Sequence, residues 1–247
     1  MLNFYELFTL TGLVSLITLS VLEVILGIDN IIFIAIVAGK LPREQQGKAR
    51  LIGLSMALIM RIILLFSISW IASLKDPLFF IGTFGATGRD LILFSGGVFL
   101  IYKTIKEIKE KFEGKEEQMR HVGELTLNSA ITQIVMIDII FSFDSILTAV
   151  GLVSNVALMV SAVIIAMLFM LAFSAAVSNY INKHPTIKML ALAFLVLIGI
   201  VLVLESLHVH FDKAYIYFSL AFSFAVEFLN IKVRSVAQKH AHEEKEE

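Results

Sequence analysis

Residues 23–30 read Glu23-Val-Ile-Leu-Gly-Ile-Asp29-Asn30, and residues 138–145 read Asp138-Ile-Ile-Phe-Ser-Phe-Asp144-Ser145. Each stretch holds an acid, five residues, a second acid, and then a small polar amide or hydroxyl. The two copies are 115 residues apart. Both lie inside long apolar runs, where a carboxylate costs roughly 2.5–3.5 kcal/mol on insertion into a bilayer centre. Two matched acids followed by a matched polar residue, in so costly a setting, read as an internal repeat with a function.

The surrounding chain fits a membrane. It has 247 residues, of which 58% are hydrophobic and 17% charged, with a mean hydropathy of +0.88. Soluble domains average about 45–50% apolar and about 25% charged. A soluble fold would have to expose the apolar excess, whereas a bilayer is the solvent that excess requires. The net charge of −1 supplies no bulk basic field for nucleic acid. The chain has no cysteine, which excludes disulfides and thiolate metal sites. Its opening, MLNFYELFTLTG, lacks a positive n-region and a cleavage site, and is read as mature sequence rather than a signal peptide.

Runs of about 20 apolar residues mark spans. Seven are expected: 8–38, 51–74, 91–105, 125–152, 156–181, 189–207 and 214–231. Sixteen Lys and Arg fall on one side, including Lys40, Arg43, Lys48 and Arg50 in the first loop and six in the loop 103–124. Three, Lys75, Arg89 and Lys213, fall on the other. Positive residues stay in the cytoplasm, so the N-terminus is expected outside and the C-terminus inside. The motif-bearing spans are the first and the fourth, so the two copies cross in opposite directions. The third and sixth spans echo each other through Gly97 and Gly199. The expected fold is all-α: one transmembrane domain over 1–238, built as two inverted three-helix repeats (about 8–105 and 125–207) plus a final helix (214–231). Such repeats place a substrate site near the midplane. The loop 103–124 is read as a cytoplasmic topology anchor, and the tail 239–247 as disordered.

Glu23, Asp29, Asp138 and Asp144 face a single intramembrane base, Arg61. That surplus of negative charge calls for protons or bound cations. The available ligands are all oxygen: the four acids, Asn30, Ser145 and Gln133. Oxygen sets suit Mg²⁺, Ca²⁺ and Mn²⁺, and with no intramembrane His or Cys, zinc and copper are disfavoured. Arg61 is read as a counter-ion. On a regular helix Asp29 and Asp144 would point about 120° away from the first acid of their own motif. Local breaks at Gly27 and Ser142 are therefore expected, with freed carbonyls joining the site. Glu227 and Asn230, three apart on the last span, would complete the site or pair with Arg61. His208, His210 and Asp212, like His240 and His242, are read as ordinary polar segments. No GxxxxGK[ST], HExxH or GxSxG motif occurs, so neither ATP-driven transport nor hydrolysis is expected, and the chain is not read as an enzyme. Paired intramembrane Asp residues would also suit an aspartyl protease, but a cation accounts better for Glu23, Asp138 and Asn30.

The runs EVILGIDNIIFIAIVAGKLP (23–42), ITQIVMIDIIFSFDSILTAVGL (131–152) and FSFAVEFLNI (222–231) resemble the TerC family, within a wider LysE-like group of membrane transporters. The resemblance covers essentially the whole chain. It implies a manganese exporter of the bacterial cytoplasmic membrane, with metal-site acids at Glu23, Asp29, Asp138 and Asp144, polar followers at Asn30 and Ser145, and the last-span pair Glu227 and Asn230. Plastid relatives look like membrane-protein assembly factors, so an assembly or metalation partner of the secretion machinery is the alternative. The expectation is a secondary transporter with no prosthetic group. Its substrate is a divalent cation, exchanged against protons across the lipid bilayer.

Overall fold

The computed structural model describes residues 9–67, 77–82, 84–113, 125–152, 155–209 and 211–246. The side chains of Ile81, Phe84, Asp144 and Lys213, of 147–152 and of 235–246, and all of His210, lie outside the described residues. The helices are α1 (Leu10–Leu26), α2 (Ile28–Gly39), α3 (Arg43–Phe66), α4 (Gly88–Phe112), α5 (Leu127–Leu152), α6 (Val156–Lys183), α7 (Pro185–Ser206) and α8 (Lys213–Glu246). Local chemistry sets their starts. The Thr9 hydroxyl accepts from Gly12 N at 3.0 Å to open α1. Thr87 and Asp90 form a reciprocal capping box on α4. The Asn155 side chain accepts from Ala157 N to open α6, and Pro185 occupies the first turn of α7.

Among the described residues, four helices are long and apolar enough to cross a membrane, and the bent pair α1–α2 makes up to five. The chain is thus an all-helical bundle apart from one small hairpin, β1 (Pro77–Ile81) with β2 (Phe84–Thr87), which pair antiparallel around Gly82 at φ +63°. The span 91–105 is carried by α4, whose helix runs on through Lys106–Phe112 into the expected loop. Lys106–Glu110 and Lys109–Glu113 pairs, one turn apart, support that extension. Likewise α8 does not end at Ile231 but continues to Glu246, through a Lys-, Glu- and Ala-rich stretch of good helix formers. Residues 239–246 of the tail continue that helix in their backbone.

The core is centred on α2. Every residue from Asp29 to Gly39 is buried, as for a helix surrounded by others. Large apolar side chains such as Ile59, Leu168, Phe218 and Phe222 are exposed on the outer helices, an exterior that suits lipid. Close contacts fix the helix directions. Gly27 and Gly39 abut Met170 and Asn182, so α1–α2 runs parallel to α6. Gly53 abuts Ile134 and Arg61 bonds Asp138, so α3 runs parallel to α5. The Arg89–Glu205 pair, the Gly97–Gly199 contact and the Lys111 bond to Pro185 O make α4 and α7 antiparallel. Gly97 and Gly199 meet backbone to backbone: a Cβ on Gly97 would lie 2.7 Å from Gly199 O, and one on Gly199 would lie 3.1 Å from Gly97 O.

Candidate functional site

Gly27 is the residue at which α1 gives way to α2. The helices on either side are bent by 42°, and Gly27 sits between them at φ −90°, ψ −1°. The break puts Glu23 on the last turn of α1 and Asp29 on the first turn of α2. The matching break in the second copy does not form, for α5 is continuous through Ser142. The Ser142 hydroxyl instead donates to Asp138 Oδ2 at 3.1 Å, one turn back along the same helix.

Arg61, projecting from α3, binds the first acid of both motifs. Its Nη1 donates to Glu23 Oε2 at 2.8 Å, its Nη2 to Asp138 Oδ1 at 2.6 Å and its Nε to Asp138 Oδ2 at 3.3 Å. Asn30 Nδ2 donates to Asp138 Oδ1 at 3.0 Å. All four side chains are buried, with at most 3% of their surface exposed. The first acid of each motif, the amide following the second acid of the first motif, and the one intramembrane arginine thus form a single polar cluster. In this cluster Asn30 Oδ1 is buried and accepts no hydrogen bond among the described residues.

Asp29 faces elsewhere. Together with Ser145 and Tyr217 it lines a cavity of about 210 Å³, otherwise walled by apolar residues including Leu22, Phe141, Ile198 and Leu202. The Tyr217 hydroxyl reaches Asp29 Oδ2 at 3.4 Å. A second cavity, of about 280 Å³, opens beside the lysine-rich end of α4 and is lined by Phe33, Lys40, Glu107, Glu110, Ser129 and Gln133 among others. Lys40 stands at its edge, held by both Glu107 and Glu110. Burial alone would lower the ammonium pKa, but the two carboxylates outweigh it and hold it above the ordinary lysine value. Along α7 the cavities are separated only by the step from Leu195 to Ile198, about 4.5 Å of helix. On α5 the Arg61-bound Asp138 lies between Gln133 of one cavity and Phe141 of the other.

The remaining sequence-derived candidates divide clearly. Gln133 lines the second cavity and donates to Ser129 rather than joining the acids. Glu227 is half-buried and Asn230 exposed on α8, and Arg61 pairs with Glu23 and Asp138 instead of with them. The side chains of Asp144, His240 and His242, and all of His210, are outside the described residues. His208 lies at φ +62°, with Nε2 2.9 Å from Asp90 Oδ2. Among the described residues no three His, Cys, Asp or Glu side chains are grouped closely enough to hold a metal ion. Tyr217 and Lys40 are the residues that sequence reasoning missed. Tyr217 carries no signal in an aromatic-rich span, whereas Lys40 stands out only once α4 is known to reach it.

Residues 8–242 match the family described as the integral membrane protein TerC family. The chain belongs to the TerC family. Its relatives include the UPF0053 inner membrane protein YgdQ of Escherichia coli K12, 49% identical over 214 residues, covering 87% of this chain and 90% of that protein. A UPF0053 protein of Haemophilus influenzae is 46% identical over 222 residues, covering 90% and 94%. The UPF0053 inner membrane protein YoaE of Escherichia coli K12 is 46% identical over 217 residues, but these cover only 42% of that longer protein. No solved structure matches the chain. For this TerC protein, family membership and the lipid-compatible exterior agree on an integral membrane protein, and the site must be read from its own geometry.

Proposed function

We propose that this TerC protein is a secondary transporter that exports a hard divalent cation, Mn²⁺ foremost, from the cytoplasm by alternating access, with protons as the counter-substrate. The observation that carries this reading is the pair of cavities that succeed each other along α7, from Leu195 to Ile198, and along α5, from Gln133 to Phe141, with the buried, Arg61-bound Asp138 on the α5 segment between them. A barrier that thin needs only small helix movements to open to one side and close to the other. Every polar side chain offered to a cation there is an oxygen donor, which suits Mn²⁺, Mg²⁺ or Ca²⁺.

The packing directions support seven spans in two inverted repeats. With seven alternating crossings, the first and fifth spans run parallel, the second and fourth parallel, and the third and sixth antiparallel, as α1–α2 with α6, α3 with α5, and α4 with α7 do. Exchange of the repeats turns the first of these pairs into the second and the third into itself, and the reciprocal Gly97–Gly199 contact fits that symmetry. In this reading the lysine-rich cavity is cytoplasmic. Export works against the inside-negative potential, at about 2.3 kcal/mol per charge per 100 mV. A proton gradient offsets this if Asp29, in the outer cavity, exchanges metal for proton.

A second reading, an assembly or metalation partner of the secretion machinery, is favoured by α8. Only 11% of its span Ala214–Arg234 is buried, against 39–56% for the other single-helix spans, which leaves a face open to another protein. Uptake of Mn²⁺ into inside-out vesicles decides between them. Uptake by the native protein, lost in inserted and folded Asp29→Asn and Asp144→Asn variants, supports transport. A native protein inert toward Mn²⁺, Mg²⁺ and Ca²⁺ alike overturns it.

A further inference from the structure

The place between Glu23 and Asp138 is filled by a cation that belongs to the protein. Arg61 reaches it from a third helix, and one guanidinium spans both carboxylates through three nitrogens. Asp138 is saturated: its two oxygens accept from Arg61, Asn30 and Ser142. A divalent ion therefore cannot enter this cluster while Arg61 stays, because a +1 and a +2 charge would share one buried pocket. The oxygens are nevertheless of the right kind for it: two carboxylates, the Ser142 hydroxyl and the buried Asn30 Oδ1. That last atom has no donor, and its amide is fixed to the cluster by the Nδ2 bond to Asp138. A buried acceptor without a donor is an unusual cost, beside an Asp138 whose two oxygens each accept two bonds, and a cation at the cluster would remove it.

We propose that Arg61 is a tethered substitute for the transported ion. In the metal-free carrier its guanidinium neutralises Glu23 and Asp138. In the loaded carrier the divalent ion takes these oxygens together with Asn30 Oδ1, and Arg61 withdraws. The inference rests on the transport reading and adds to it how the empty protein returns. Two bare carboxylates at mid-membrane would hold the unloaded carrier on one side, and Arg61 removes that obstacle without a second metal ion on the far side, while Asp29 carries the proton.

The test uses purified full-length protein in liposomes at a fixed pH gradient and compares two modes. One is net Mn²⁺ flux into metal-free buffer, and the other is isotope exchange at equal Mn²⁺ on both sides, where the carrier never returns empty. Native protein should sustain net flux with no metal on the receiving side. In Arg61→Gln the ratio of exchange to net flux should rise at least tenfold, and Arg61→Lys, which keeps a cation, should recover part of the net flux. Equal loss of both modes in folded, monodisperse Arg61→Gln makes Arg61 a structural pin and overturns the inference alone. Should Arg61→Gln fail to fold, the native measurement still decides, because net flux that requires Mn²⁺ on the receiving side also overturns it. A native protein that moves Mn²⁺ in neither mode overturns the transport reading itself.

Discussion

The two acids of the first motif, six residues apart, have different duties, and substitution should separate them. Asp138, the counterpart of Glu23, is bound on both oxygens to Arg61, so Asp138→Asn leaves a buried guanidinium with one carboxylate. Breaking such a pair costs about 3–5 kcal/mol, which thermal unfolding in detergent should register as a large loss. Asp29 accepts a long bond from Tyr217 and borders a cavity, so Asp29→Asn, which keeps an acceptor oxygen there, should cost under about 1 kcal/mol while abolishing flux. The reverse order of stabilities would refute this division. The spacing made all these acids legible as a site. It could not show that Arg61 takes the first acid of each copy, because that grouping joins residues 38 and 77 positions apart. Outside the spans, two contacts set the pH behaviour. Burial opposes the charge of Asp90, but bonds from Thr87 and His208 hold its carboxyl below the ordinary value. A depressed carboxyl contributes stability that is complete above its unfolded value of 3.8 and is lost as pH falls through the folded one. Lys40, raised, contributes below 10.5 and loses its contribution as pH rises through its folded value. Neither window touches about pH 5–9, so the melting temperature there should not respond to Lys40→Gln in a pH-dependent way.

At the scale of helices, the decisive contacts are those made by glycine. The α4–α7 pair is held where Gly97 meets Gly199, and the atom that an added methyl on Gly97 would strike is backbone oxygen, which cannot turn aside. At Gly27 the first atom struck is the sulfur of Met170, near the flexible end of its side chain, and the nearest backbone oxygen, Glu23 O, stands at 3.0 Å rather than the 2.7 Å met at Gly97. Gly97→Ala should therefore cost about 1–3 kcal/mol, and Gly27→Ala less, as read from unfolding midpoints in one detergent. Equal losses would mean that the backbone contact yields. The sequence carried these elements unevenly. Gly97 and Gly199 were legible as echoes, and the break at Gly27 followed from its freedom to unwind. The break expected at Ser142 does not occur, because its hydroxyl binds Asp138 within the helix instead of replacing a lost backbone bond. The extension of α4 beyond the span was hidden by its charges, which read as loop until paired one turn apart. The hairpin at 77–87 was missed although Gly82, between aromatic residues, marks its turn.

For the whole molecule, sidedness is the consequence that can be measured most directly, and α5 supplies the ruler. Ser129, in the lysine-rich cavity, and Ser145, in the cavity of Asp29, stand on this one helix. They are 16 residues and so about 24 Å apart, most of the roughly 30 Å hydrocarbon thickness. The chain has no cysteine, so Ser129→Cys and Ser145→Cys each create a single thiol without background. A charged, membrane-impermeant methanethiosulfonate should modify Ser129→Cys from the cytoplasmic side alone and Ser145→Cys from the outside alone. Seven alternating spans require that opposition, and so does a thin barrier between two cavities. Reaction of both thiols from the same side would remove α5 as a span and with it the inverted repeat. If sidedness holds, added Mn²⁺ should slow modification of Ser145→Cys several-fold, because an ion beside Asp29 would occupy the same cavity as the reagent. Protection at Ser129→Cys but not at Ser145→Cys would instead place the first encounter with metal at the Glu107–Glu110 pair, with Lys40 as the cation it displaces.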